Sequence, residues 1–269
     1  MTTAYQEESF LGSGDLQIAI YDPSTGTLGG ERDVGNAQNF VINPPSIEKK
    51  ELIGMRRANY AQTIKSVITK SEQEIKFTLT DINRKNLALA MFGTDADNDQ
   101  TEDDNVGSAE SIVAHLDAWT PLTHRNLDTQ TAHKPVVKNS AGDATYDEGD
   151  DHDYVVDYET GRIMALSTGD IGDGATLKVE YYWAATTGFK VTANDVNKFE
   201  CFIRMIGMDQ ANERDCEVIV YKAQIEPSGD MSWLTEDFAT LEFTGKILAM
   251  AAGTWAVLFH TDAAATPIA

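Results

Sequence analysis

Polar and apolar positions alternate with a period of two along much of this chain, which is the mark of half-buried strands. In SEQEIKFTLTD, Ile75, Phe77 and Leu79 fall on one side, and Glu72, Glu74, Lys76, Thr78 and Thr80 on the other. FATLEFTGKILA sets Leu241, Phe243 and Ile247 against Thr240, Glu242, Thr244 and Lys246. DCEVIVYKAQI places Cys216, Val218 and Val220 on one face and Ile219, Tyr221 and Ile225 on the other, so both faces are expected to be partly covered. Further strands are expected at about 15–21, 46–53, 60–69 and 198–206. One segment has helical spacing instead. In TDINRKNLALAMFG, Leu87, Ala90 and Met91 recur at i, i+3 and i+4, with Asp81 as the expected N-cap and Gly93 as the stop.

The texture changes between about residues 116 and 185. Four short strand signals, Pro135–Lys138, Asp153–Asp157, Arg162–Leu166 and Thr176–Trp183, are separated by Gly/Asp turns at regular spacing. This is the pattern of a small β-sandwich. DYETGR reads as a hairpin turn in which Gly161 supplies a positive φ. After Ala184–Thr187 the long alternating strands resume. The expected organisation is therefore mainly β, with residues 1–115 and 186–269 forming one discontinuous domain and residues 116–185 inserted into it.

Charge refines this picture. The formal net charge is −22, yet residues 95–104 hold six acids and residues 143–159 hold eight, with no Lys or Arg in either run. Most of the acidity thus belongs to two loops. Such a chain is not expected to grip nucleic acid, because phosphate binding rests on clustered Lys and Arg. DADNDQTEDDNV matches a calcium loop at Asp95, Asp97 and Asp99. It then fails at the glycine and glutamate positions, which are Gln100 and Val106. In YDEGDDHDYVVD, Asp150, Asp151, His152 and Asp153 are consecutive and diverge along an extended chain. Both runs read as solvated segments, the first as a mobile tether to the insertion, and neither as a metal site.

No catalytic or cofactor-binding constellation emerges. His115, His124, His133, His152 and His260 are scattered, and there is no HExxH pair, GxSxG elbow or phosphate loop. Cys201 and Cys216 lie in apolar strand-like runs and read as small core residues. No apolar window is long enough for a membrane span. The opening MTTAYQEESFLGSGD lacks the order of a secretory leader, so folding in cytoplasm is expected.

The order of features resembles the major tail tube protein of long-tailed bacteriophages over about residues 10–94 and 186–260. The resemblance is carried by GDLQIAIYD, then by SIEKKELIGMRRANYAQTIKSVITKSEQEIKFTLTDINRKNLALAMFG, and in the second half by CEVIVYKAQIEP followed by ATLEFTGKIL. The insertion resembles the immunoglobulin-like modules of phage tail proteins, and by that likeness would sit on a tube's exterior. The resemblance implies a tail-tube-type β-sandwich or barrel with one short helix, assembling into stacked, commonly hexameric rings. It also implies a virion protein, assembled in the host bacterial cytoplasm. Its partners would be further copies and other tail proteins such as the tape measure, terminator and baseplate hub. DNA would pass through the tube without specific binding, and no membrane, enzyme activity or cofactor is implied.

On this reading the polar faces Glu72, Glu74, Thr78 and Thr80, and Glu242 and Thr244, either line the lumen or form an ordinary solvent face. The segment Ser46–Ala61 bears Lys49, Lys50, Glu51, Arg56 and Arg57. It reads either as an arm reaching the next subunit or as an exposed hairpin with solubilising charges. The Gly-rich stretch Thr25–Gly35 is expected to order on assembly. Two other classes stay open at this point. One is a surface adhesin, calcium-dependent or not, using the Ig-like module; the other is a β-sandwich glycosidase, for which no carboxylate pair is nominated.

Overall fold

The computed structural model describes residues 9–260. The chain separates into two compact units, residues 1–95 with 191–269, and residues 96–190. Residues 1–8, over which a leader was sought, lie outside the described part. Among the described residues the fold is mainly β with one α-helix.

Along the chain, the first unit contributes β1 (Gly12–Ile20), β2 (Arg32–Asp33), β3 (Ala37–Ile42), β4 (Ser46–Ile53), β5 (Thr63–Glu72), β6 (Glu74–Leu79) and α1 (Arg84–Ala90). The outgoing strand is β7 (Thr94–Asp97). The second unit holds β8 (Asp103–Asp104), β9 (Glu110–Val113), β10 (Trp119–Pro121), β11 (Val136–Asn139) and β12 (Thr145–Tyr146). It continues through β13 (Tyr154–Asp157), β14 (Arg162–Ala165), β15 (Thr176–Glu180) and β16 (Tyr182–Trp183). The returning strand β17 (Phe189–Thr192) pairs with β7, and the first unit closes with β18 (Phe199–Asp209), β19 (Arg214–Pro227), β20 (Leu241–Ile247) and β21 (Trp255–His260).

In the first unit the sheet order is β2-β1-β18-β19-β20-β6-β3, with β21 also on β19. Every described pairing in it is antiparallel. β19 is the spine. Along one edge it pairs with β18 from Phe199↔Ile225 to Asp209↔Arg214. Its other edge is shared, residues 215–220 with β21 and residues 223–227 with β20. Leu16 and Ile18 near one end of the sheet and Ala37, Phe40 and Ile42 at the other join the same apolar cluster as Ile75, Phe77, Val220, Ile225 and Phe243. The sheet is therefore curled around a single core. Phe77 and Phe243 stack at its centre with ring centroids 5.1 Å apart.

The simple alternation expected for β19 fails at one point. Cys201 pairs with Ala223 and Ile203 with Val220, so one residue of β18 opposes two of β19. The extra residue reverses the side-chain parity, as a β-bulge must. Val220 and Ile225, assigned to opposite faces from the sequence, both enter the core.

Two expectations for the helix also change. Its N-cap is Asn83, whose side chain accepts from the Asn86 amide at 2.9 Å, whereas Asp81 instead accepts from the Asn36 amide at 3.0 Å. The left-handed residue beyond the helix is Phe92, with φ 46°, not Gly93. Gly93 serves close packing, since a Cβ there would lie 2.4 Å from the Thr192 carbonyl oxygen. Asn86 is fully buried yet satisfied: its amide donates to the Val34 and Asp81 carbonyls and its oxygen accepts from Arg32 at 2.8 Å. This ties α1 to β2.

In the second unit, the sheets β10-β14-β13 and β12-β11-β15-β9 share one core containing Ile112, Val137, Tyr154, Ile163, Leu177 and Val179. The strands expected at Arg162–Leu166 and Asp153–Asp157 form the β14–β13 pair. Between them lies the DYETGR turn, where Gly161 takes φ +66°. Asp157 clamps the turn through Thr160 and Arg162, and the Thr160 hydroxyl first, then Arg162, lower its carboxyl to about 2.

Two substitutions test these assignments. Phe243→Ala should cost the first unit about 3–5 kcal/mol, because the emptied half of the ring stack cannot collapse fully; urea unfolding followed through β20 amide exchange measures it. Gly161→Ala should cost about 1–3 kcal/mol from the left-handed backbone alone. A further penalty follows because its Cβ would fall 2.0 Å from the His124 carbonyl oxygen. Exchange of the β13 and β14 amides reports that loss.

Candidate assembly surface

The chain's most unusual surface follows from the register of β3 and β6. These strands pair from Ala37↔Leu79 to Ile42↔Ile75. Their continuations, β4 and β5, then pair with each other from Ser46↔Glu72 to Ile53↔Thr63. The ribbon thus leaves the main sheet and runs on alone as a two-stranded hairpin. Every residue of β4 is exposed, and every residue of β5 except Glu72. Eight strand residues at about 3.4 Å each give this arm a reach of roughly 27 Å.

A hairpin with both faces in water is marginally stable unless something covers it. This one also carries apolar side chains that a solvated ribbon does not need: Ile47, Leu52, Ile53, Ile64, Val67 and Ile68 on the strands, and Met55 and Tyr60 at the tip, 78% and 68% exposed. The proposed arm residues all lie here. Lys49, Lys50 and Glu51 are on β4, and Arg56 and Arg57 are in the turn. Glu51 accepts from Thr63 at 3.2 Å, while Lys49, Lys50, Arg56 and Arg57 make no ion pair within the described residues. At the base, Lys70 bridges Glu72 at 3.0 Å and Glu48 at 3.7 Å. Glu72 also meets Lys246 at 3.4 Å, and its carboxyl is held below the usual range chiefly by the Lys70 hydrogen bond.

The two polar strand faces read from the sequence come together. β20 pairs with β6 so that Glu242 opposes Thr78, Thr244 opposes Lys76 and Lys246 opposes Glu74. On β19, Glu226 and Gln224 extend the row, facing Thr244 and Lys246. Glu72 lies just before β6 at the hairpin base, and Thr80 just beyond its end, where its hydroxyl donates to the Asn36 carbonyl at 3.2 Å. The result is a polar face opposite the core, of mixed sign, across three neighbouring strands. Period-two spacing foretold each strand's polar side; only the register shows that they merge.

The acidic stretch 95–106 differs from the mobile tether expected. Asp95 is nearly buried, and its carboxylate is taken by Arg84 and by Lys85 at 2.8 Å. Asp103 and Asp104 form β8, paired with Trp183 and Tyr182. Gln100 forms a bridge with Thr186, and its side-chain amide donates to the Arg125 and Ala184 carbonyls at 2.8 Å. Asp95 is thus spent on ion pairs, while Asp99, Asp103 and Asp104 accept backbone amides.

Also within the second unit, a cleft of about 560 Å³ is lined by Asp99, Gln100, Asp103, His124, Arg125 and Trp183 among others. Its chemistry is mostly consumed internally. His124 stacks on Trp183 at 3.6 Å, and the Trp183 indole donates to the Thr101 carbonyl at 2.8 Å. Asp99 accepts from the Gly188 amide, and Tyr181, its hydroxyl pushed up by burial, donates to Glu110. Sequence reading missed this cluster because its members come from separate strands and loops with no shared spacing. It also missed Trp233, Leu234 and Phe238, which stand in the loop between β19 and β20 at 70%, 98% and 99% exposure. A loop has no period to betray which side chains stay uncovered.

The Asp95 pair gives a pH prediction. Lys85 first, then Arg84, hold the Asp95 carboxyl below its ordinary 3.8. A depressed folded pKa adds stability that is complete above the unfolded value and is lost as pH falls through the folded one. Urea midpoints taken between pH 6 and pH 2 should therefore fall less steeply below about pH 4 in Asp95→Asn than in the parent chain.

A family model described as "Protein of unknown function UCP028589" matches residues 9–254. No curated protein matches the chain. The match runs through both compact units, hairpin included, and the chain belongs to that family.

Proposed function

We propose that this protein is a structural subunit that self-assembles into stacked rings, forming the tail tube through which a long-tailed phage ejects its genome. The observation that carries this reading is the β4–β5 hairpin: an ordered arm with both faces and many apolar side chains left in water. Its cost is recovered only when another surface covers it, and in a repeating assembly that surface belongs to a further copy. The polar face of β6, β20 and β19 adds support. It combines Glu74, Glu226 and Glu242 with Lys76 and Lys246, a mixed-sign lining that neither grips nor strongly repels phosphate. The second unit, with its own core, would then decorate the outer wall. Assembly would take place in the host cytoplasm, with the virion tail as destination and other tail proteins as end partners.

Electron microscopy of the purified chain across a concentration series tests this directly. Rings or hollow tubes are the expected outcome, and particles that stay monomeric throughout would overturn the reading. Leu52→Asp, on an arm whose two strands pair only with each other, should leave unfolding within about 0.5 kcal/mol of the parent while raising the concentration needed for assembly at least tenfold.

A further inference from the structure

We infer that the receiving surface for the β4–β5 arm is the loop between β19 and β20 of a second copy, so that copies join head to tail. This inference rests on the self-assembly proposed above and names the two surfaces that meet.

Charge points to the pairing first. Residues 46–72 carry six Lys or Arg (49, 50, 56, 57, 65, 70) and three acids, a local charge of +3 within a chain of −22. The remainder of the chain therefore carries −25. The stretch 223–245 holds five acids and no Lys or Arg. Within its loop, Asp230, Glu236 and Asp237 make no ion pair among the described residues, as is true of Arg56 and Arg57 in the arm.

The apolar groups match in the same places. The loop offers Leu234 and Phe238 nearly free of contact and Trp233 largely exposed, and the arm tip offers Met55 and Tyr60. Large aromatic and Arg side chains beside one another are the usual anchors of an interface. Arg over an exposed Trp or Phe ring adds a cation–π attraction.

Geometry excludes a solution within one chain. The arm departs from the Glu74 end of β6, while the loop joins β20 at Leu241, which pairs with Leu79 at the other end of that strand. The two points are separated by about 17 Å of sheet. The arm, exposed on both faces, does not fold back across it. Two different patches that complement each other across copies make a heterologous contact, which either closes into a ring or propagates as a stack.

The test is a charge reversal read by analytical ultracentrifugation and microscopy at low salt. Arg56→Glu with Arg57→Glu, and separately Glu236→Lys with Asp237→Lys, should each raise the assembly concentration at least tenfold. The four substitutions in one chain should restore it to within about threefold of the parent. All four substituted residues are exposed, so unchanged far-ultraviolet dichroism and unfolding midpoints are expected for each variant. If the loop variant assembles like the parent while the arm variant does not, the arm has another partner surface; this inference falls and the tube reading stands. If both single-site variants are impaired and the combined chain is no better than either, the two surfaces do not meet each other, and the inference again falls. A parent chain that remains monomeric throughout overturns both readings.

Discussion

The first unit depends on the pairing of β19 along both edges. Fourteen residues long, this strand holds β18 over its whole length on one side and serves β21 and β20 in succession on the other. A strand shared in this way cannot stay flat with one parity throughout. The bulge at Tyr221–Lys222 falls between the β21 and β20 segments, where the partner changes. It adds local twist, and it allows Val220 before it and Ile225 after it to enter the same core. The curl of the sheet around that core leaves its far side polar. That polar side and the hairpin arm are both consequences of where β6 lies relative to β20 and β3.

Much of this was legible from alternation alone. The segment 46–53 was read as a strand with the bounds it has, and the buried faces of β6 and β20 follow their spacing residue by residue. The failures share a physical character. Parity in β19 was misjudged because a bulge depends on the partner strand, which local sequence does not name. Asp81 was taken for the helix cap in place of Asn83 because both are good cap residues two positions apart, and tertiary contacts with Asn36 decided between them. The acidic stretch is solvated over most of its length, as read, but a run of like charges gives no sign that Asp95 is claimed by Arg84 and Lys85, supplied by the helix just upstream. Of the candidate surface, the arm's charges were visible in sequence. An exposed hairpin was one of the two readings, but the exposure of its apolar side chains was not foreseen, since period-two alternation is weak there and apolar residues occur on a ribbon with no core to meet.

The arm also has to avoid indiscriminate association. An isolated two-stranded ribbon has two unpaired edges, each a template for strand addition, and exposed Ile and Val make such edges sticky. Lys49, Lys50, Lys65, Arg56 and Arg57 work against this by repelling the same ribbon on another copy, while leaving the arm attractive to an acidic surface. In a chain that is otherwise strongly negative, a basic arm also meets a favourable field over most of any second copy, which speeds encounter without fixing where it ends. Position must then come from shape and apolar contact. A loop whose Trp233, Leu234 and Phe238 stand exposed among acids supplies both requirements in one place, whereas the mixed-sign sheet face supplies neither. Because the arm is already ordered in the single chain, with its strands paired from Ser46 to Ile53, docking costs little further backbone entropy. The loop is tied to the sheet at its two ends, by the Ser228 amide on the Glu242 carbonyl and by Met231 against the core, so its exposed segment from Ser232 to Phe238 is the side that must settle. In the proposed assembly, stability given up by the free subunit on a bare ribbon would be recovered at the contact, favouring the assembled state over the single chain.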